Sequence, residues 1–327
     1  EQYSTETSHV FDLIYDIASS IGSEISPTRT AGESVGLTKA RIDPVEPRAV
    51  DAYTLGITHL DRITPDDLRA AIDRFETAVA IEPDFALAWG QLAASHAMLG
   101  LFGFVPPREA IEKSRAASLR AIEADDEFYI GHSALGWAHL WTGELDRACE
   151  KFEEALRLNP SAPYALHGDA DCLMLDGRMD DSVARLRELV TVSPFSAMHS
   201  VPLPVHLYIA RRFDEAITAT KDMQVRVPHF SVHYVLAHVY WQQGRFDEAL
   251  EEERLELERR GDTVMLAVLE EGLDTVGPTG AMRAMAEALV ARAYESYVDP
   301  INIAETFARA GMVDEALYWL ERAAVHG

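Results

Sequence analysis

The sequence predicts an all-α fold, a right-handed superhelical solenoid of helix-turn-helix repeats. The first observation is a period, because the prolines that end apolar helical stretches, Pro160, Pro194 and Pro228, recur every 34 residues. The second is a pattern of an apolar residue, Asp, a charged residue and a small residue, repeated at 145–148, 179–182, 213–216, 246–249 and 313–316. The third is that no strand-like alternation of apolar and polar residues competes with these helices.

The segment before the repeats reads differently from the rest. Residues 10–25 have the apolar spacing of an amphipathic helix, and the stretch after them is rich in Pro, Gly and Ser, which is typical of a linker. We interpret 1–45 as a helix and linker that end a preceding domain. We therefore expect the chain to be part of a longer protein.

The repeats are predicted over 46–261, and residues 129–162 show them most clearly. The packing positions of this unit have the spacing of a tetratricopeptide repeat: Leu135, Gly136, Ala148, Phe152, Ala155 and Pro160. Gly136 and Ala148 allow the two helices of the pair to approach closely. Phe152 is predicted to fill the gap between this pair and the next.

Earlier units keep this pattern with one insertion. Gly56 and Phe75 stand at the packing positions of the first unit. The next unit carries an insertion at 101–107, in the turn between its helices. Residues 86–105 carry no charge, but Gly and Pro interrupt them, so we interpret them as one helix and a loop.

Later units are looser. Leu186 and Thr220 stand where Phe152 does, and the glutamates of 251–258 are interpreted as a solvated helix face. The period is lost after residue 261, so 262–327 is predicted to contain irregular helices and a final repeat-like pair. These helices are expected at 265–273, 281–297, 300–311 and 314–326. In the last pair, Trp319 and Leu320 are the core candidates.

The charge of the chain excludes some partners. Twenty-nine Lys and Arg residues stand against 54 Asp and Glu, a net charge of −25. Such a surface repels phosphate and anionic lipid, so we expect neither nucleic acid binding nor direct membrane insertion. Nearly all the positive charge is Arg, which fits either a salt-adapted source or a GC-rich genome.

Two cysteines, Cys149 and Cys172, are too few for a disulfide framework and have no zinc-ligand spacing. One bridge between them is an open alternative, but we predict two buried thiols. No metal site, cofactor or catalytic motif is predicted, and the chain is expected not to be an enzyme. An enzymatic reading would rest on His167 and Asp171 alone, four residues apart on one helix face.

Several stretches resemble one bacterial family beyond the generic repeat, and they are found at 11–18, 52–56, 106–110, 208–216, 297–304 and 315–321. They resemble the C-terminal tetratricopeptide region of multidomain signalling proteins in which this region follows a TolB-like domain. The resemblance implies an interaction or sensory module without catalytic residues of its own. It leaves the localisation unknown, cytoplasmic or periplasmic.

The first helix of each pair should line the concave face of the solenoid. The positions that point into this face predict an aromatic, nearly uncharged groove for a protein or peptide partner: Trp137, Trp141, Tyr164, His167, Asp171, Met174, Tyr208, Tyr234, His238 and Trp241. A second reading is that the chain fills this face itself with its terminal helices, because large exposed apolar patches are unusual. Both readings stay open at this point.

The leading functional hypothesis is a noncatalytic interaction module of a bacterial regulator. One alternative is a small-molecule sensor, with Trp137, Tyr164, His167 and His238 around the ligand. Another is a structural oligomerisation module, including a homodimer formed through exposed terminal helices.

Overall fold

The computed structural model describes residues 45–60, 64–227 and 232–326, and throughout these ranges the regular elements are helices. The helix and linker predicted before residue 45 lie outside them. The chain groups into two compact units. Among the described residues, unit 1 comprises those of 45–102 and 109–192, and unit 2 comprises those of 103–108 and 193–326. The boundary predicted between residues 261 and 262 concerns a change of repeat pattern and stays a prediction.

Most helices pack against the helix that follows them in the chain. Those of unit 1 are α1 (Pro47–Leu60), α2 (Pro65–Ile81), α3 (Ala86–Leu101), α4 (Pro107–Ala124, which begins in the segment grouped with unit 2), α5 (Tyr129–Trp141), α6 (Leu145–Leu158), α7 (Pro163–Leu175) and α8 (Met179–Val192). Those of unit 2 are α9 (Ala197–Ser200), α10 (Pro202–Ile209), α11 (Phe213–Arg226), α12 (His233–Gln242), α13 (Phe246–Arg260), α14 (Thr263–Ala293), α15 (Pro300–Arg309) and α16 (Val313–His326).

The recurring acidic pattern marks helix starts, as predicted. Five helices begin at its apolar residue: Leu145, Met179, Phe213, Phe246 and Val313. The acids that follow lie in the first turn, where unpaired backbone N–H groups favour negative charge. The turn before four of these helices contains a glycine with positive φ, and at the same place before α11 Arg211 adopts a φ of 58°.

Phe152 packs between successive helix pairs in unit 1, as the sequence predicts. It is fully buried in α6, against Gly136 of α5 and Gly168 of α7. A Cβ atom at Gly136 or Gly168 would lie 2.6 Å or 2.2 Å from the Phe152 ring, so only glycine allows this approach. Leu186 and Thr220, at the same repeat position, are also fully buried.

The uncharged stretch in α3 is a helix followed by a turn, as predicted. Across the described residues, no helix combines the length and apolar character that crossing a bilayer requires.

The glutamates of α13 correct a prediction. Glu253 stands at the repeat position of Phe152, and its Oε2 lies 2.7 Å from Nη1 of Arg309 in α15, with both side chains largely buried. Glu256 is also buried and forms ion pairs with Arg259 and Arg260. The interpretation of this run as a solvated face is therefore wrong at these two positions, because one arginine of α15 and two arginines of α13 compensate the buried charges.

The last helices of unit 2 follow the predicted order with one further correction. The stretch called α14 is broken at Gly277, with a φ of 75°, before Pro278, so it consists of two helical segments as expected. Asp262 caps its N-terminus through Met265 N and also forms two hydrogen bonds with Arg292. Trp319 packs on the core of α14–α16, but Leu320 is 47% exposed, because no further described helix pair packs on α16.

Cys149 and Cys172 form a disulfide between α6 and α7, so the prediction of two buried thiols is wrong. Their Cα atoms are 5.9 Å apart, a separation that suits the bridge. The sequence left this alternative open but could not decide it, because the pairing depends on how α7 stacks against α6.

Removing this bridge should destabilise unit 1. Closing a loop of 23 residues restricts the unfolded chain, so we expect the double variant Cys149→Ala, Cys172→Ala to lose about 3 kcal/mol of unfolding free energy. Urea denaturation followed by circular dichroism measures it, and dithiothreitol should lower the stability of the wild type but not of the variant. Two free thiols per chain, titrated under denaturing and non-reducing conditions, would contradict the bridge.

Candidate functional site

In unit 1, Trp137 is the fixed centre of the predicted aromatic face. The residue is 5% exposed, and its indole N–H donates a hydrogen bond to the Tyr164 carbonyl oxygen at 3.2 Å. Its ring contacts Phe152 and His167 edge to face, with centroids 5.5 Å and 4.7 Å apart. Because the disulfide lies in the same cluster, the indole is held in one orientation.

The neighbours of Trp137 are more accessible. Trp141 lies one turn further along α5, with its ring centroid 6.1 Å from that of Trp137. Three further predicted residues are on α7 and are partly exposed like Trp141: Tyr164, Asp171 and Met174. Unit 1 therefore carries six predicted residues on α5 and α7, the first helices of two consecutive pairs, with Trp137 and His167 buried and the other four partly exposed.

His167 and Asp171 lie on one face of α7, as their spacing predicts. Nε2 of His167 and Oδ1 of Asp171 are 3.9 Å apart, which is longer than a hydrogen bond. In the described ranges, no group of three His, Cys, Asp or Glu side chains could hold a metal ion. This pair is thus an electrostatic contact at the edge of the aromatic cluster.

In unit 2, the four remaining predicted residues contact α15 of the same unit or each other. The Tyr234 hydroxyl donates a hydrogen bond to Oε2 of Glu305 at 2.7 Å, and Nε2 of His238 lies 3.4 Å from the same oxygen. The rings of Tyr208 and His238 meet edge to face. Trp241 lies beneath the Arg309 guanidinium, 6.0 Å from the ring centroid. In unit 2 the chain's own helix α15 therefore contacts part of this face, while the Tyr234 side chain stays 42% exposed.

The Glu305 carboxylate and the groups around it have complementary charges and hydrogen-bonding roles. Burial alone would raise the pKa of the Glu305 carboxyl, but His238, Tyr234 and Arg309 together hold that pKa below its usual value. Burial and the nearby Glu305 charge raise the pKa of the Tyr234 hydroxyl, so this group stays protonated and donates. The carboxylate is thus ionised and bound between the two side chains of α12.

Glu305 and Arg309 were missed by sequence reasoning. They are four residues apart and lie on α15 beside the buried Ile303 and Phe307. The one available signal was Glu253, an acid at the repeat position that Phe152 and Leu186 occupy, since a buried acid requires a basic partner. The four residues proposed to enclose a small molecule fall in both units, with His238 in the Glu305 contact and the other three in unit 1.

Comparison with known sequences agrees with the repeat pattern. Residues 129–162 and residues 206–262 match the sequence profiles of families described as tetratricopeptide repeat. The chain carries tetratricopeptide repeats. No curated protein sequence matches it.

Solved structures share the fold. The chain is similar to the human IFIT1 dimer with m7Gppp-AAAA, with a TM-score of 0.59 and 15% identity over 98% of this chain and 80% of that chain. It is similar to yeast Tom70, with a TM-score of 0.51 and 16% identity over 89% and 63% of the two chains. It is also similar to a chain of the APC/C hetero-tetramer Cut9-Hcn1, with a TM-score of 0.53 and 18% identity over 77% and 51%.

At these identities the similarity concerns the fold alone. It confirms the predicted fold class, an all-α solenoid of tetratricopeptide helix-turn-helix repeats. The capped ligand in the first of these structures belongs to that protein.

Proposed function

We propose that this chain is a noncatalytic scaffold that binds a protein or peptide through the α5–α7 face of unit 1. The observation that carries the proposal is the aromatic cluster around Trp137, which is fixed by a hydrogen bond, ring contacts and a disulfide. A rigid aromatic surface loses little conformational entropy on binding, and this favours affinity. Aromatic residues also supply much of the binding energy at protein interfaces.

The face in unit 2 supports this assignment by contrast. Tyr234 and His238 already bind the Glu305 carboxylate of α15, so an external ligand would have to compete with that carboxylate for these two side chains. In unit 1, Trp141, Tyr164 and Met174 stay partly exposed on helices at the equivalent places of the repeat. The partner is therefore expected to contact α5 and α7.

The wider role is part of the same proposal. The resemblance of several stretches to bacterial regulators with a TolB-like domain supports a sensory or interaction module in a signalling protein. The net charge of −25 supports a protein partner over a nucleic acid.

A displayed peptide library tests the binding face. We expect panning of random peptides against the whole chain to enrich sequences that bind the wild type and bind Trp141→Ala at least ten-fold more weakly, because the indole side chain supplies contact area. Affinities are measured by fluorescence polarisation. Tyr294→Ala is the control, since this aromatic residue of unit 2 is 89% exposed and lies outside the predicted face. Enriched peptides that bind Trp141→Ala as tightly as wild type would contradict the proposal.

A further inference from the structure

The last helix, α16, presents an apolar edge to solvent. Val313, Leu317 and Leu320 are 63%, 53% and 47% exposed. Their spacings of four and three residues put them on one side of the helix. The core of unit 2 contacts a different side, through Ala316 and Trp319. We call the three exposed residues the α16 edge.

The equivalent positions of the other repeats show how the residues of such an edge pack elsewhere in the chain. Leu320 is at the position of Phe152 and Leu186, and Leu317 is at the position of Val183 and Leu250, and these four counterparts are buried. Val313 is at the position of Leu145 and Phe246, which are exposed in their own repeats. In unit 1 the helix that covers Phe152 offers it a glycine, Gly168. A helix side that faces only water is expected to be polar, so the apolar residues of the α16 edge indicate a surface that a helix covers.

The charged residues beside the α16 edge indicate what kind of helix would cover it. Asp314 and Glu321 are exposed and follow Val313 and Leu320 directly, so they border the same side of the edge. Arg322 is held elsewhere, with its guanidinium 5.1 Å from the centroid of the Trp319 ring. A second copy in antiparallel pairing would bring these acidic borders together, and each chain carries a net charge of −25.

We propose that the α16 edge docks an amphipathic helix of another protein that has small residues facing Leu320 and Lys or Arg along its border. Its apolar face continues the solenoid by one helix, and its basic residues pair with Asp314 and Glu321. This surface consists of residues other than those of the α5–α7 face, so either proposal can fail without the other.

Two designed peptides test the docking surface on the full chain. Both are 18-residue helices with the same Ala and Leu face, one bordered by Arg and the other by Glu. We expect the Arg peptide to bind with micromolar affinity by isothermal titration calorimetry, at least ten-fold more tightly than the Glu peptide, with a difference that shrinks as salt is added. Leu317→Ser and Leu320→Ser should each weaken it at least ten-fold, whereas Leu55→Ser, which alters an exposed leucine of α1, should not.

Two results would overturn this inference. One is equal binding of the Arg peptide to wild type and Leu320→Ser, which would mean that the acidic surface attracts it without the α16 edge. The other is a dimer of the chain in sedimentation velocity that Leu320→Ser abolishes, which would identify a second copy as the occupant. Circular dichroism of the serine variants establishes that they remain folded.

Discussion

Replacing Phe152 with Ala should lower the free energy of unfolding by about 3–5 kcal/mol, because the ring is fully buried between two helix pairs. The glycines on either side cannot fill the space, since Gly136 and Gly168 contribute no side chain. Trp137 would also lose its edge-to-face contact with the Phe152 ring. Urea denaturation followed by far-UV circular dichroism measures the loss.

Leu320→Ala is the matched control for this variant. Leu320 occupies the same position of the repeat, but 47% of it is exposed, so we expect a loss below about 0.5 kcal/mol. Equal losses for the two variants would mean that burial between two helix pairs is not what makes Phe152 important for stability.

Replacing Arg309 with Met should cost about 3–5 kcal/mol, because it leaves the Glu253 carboxylate buried without its partner. The double variant Glu253→Leu, Arg309→Met should recover most of this loss. It restores at position 253 the residue type that Leu186 provides in α8, and it removes both buried charges. The same denaturation experiment measures both variants.

The control for Arg309→Met is the same replacement at Arg254, a more exposed arginine on the helix that carries Glu253. Arg254 pairs with Glu251 and Glu258, and all three side chains are substantially exposed. Arg254→Met should therefore destabilise the chain far less than Arg309→Met. If Arg309→Met were equally mild, water would reach Glu253 and the pair would not fix α15.

Local pattern was sufficient to predict the helix pairs. The acidic start pattern gave the first residue of α6, α8, α11, α13 and α16, because helix initiation depends on neighbouring residues. The packing role of Phe152 could also be predicted, since glycines opposite an aromatic residue recur with the repeat. Leu320 was misassigned because its burial depends on whether another helix packs on α16 and not on its own position in the repeat.

The contacts between distant residues could not be predicted in the same way. Glu305 reaches Tyr234 across 71 positions, and Arg309 reaches Glu253 across 56. No periodic signal connects such residues, because α14 interrupts the repeat between them. The same limit applies to the disulfide, whose two cysteines stand at unrelated positions of successive repeats. The sequence therefore predicted an aromatic face but could not tell that α15 contacts its part in unit 2.

Hydrogen exchange of the full chain, with and without a peptide obtained from the library, tests the central claim that unit 1 binds the partner. We expect the peptide to slow amide exchange in α5 and α7, around Trp141 and Tyr164, and to leave α12 and α15 unchanged. Slower exchange confined to α12, together with faster exchange in α15, would mean that the ligand displaces α15 and binds unit 2, and it would contradict the assignment to unit 1.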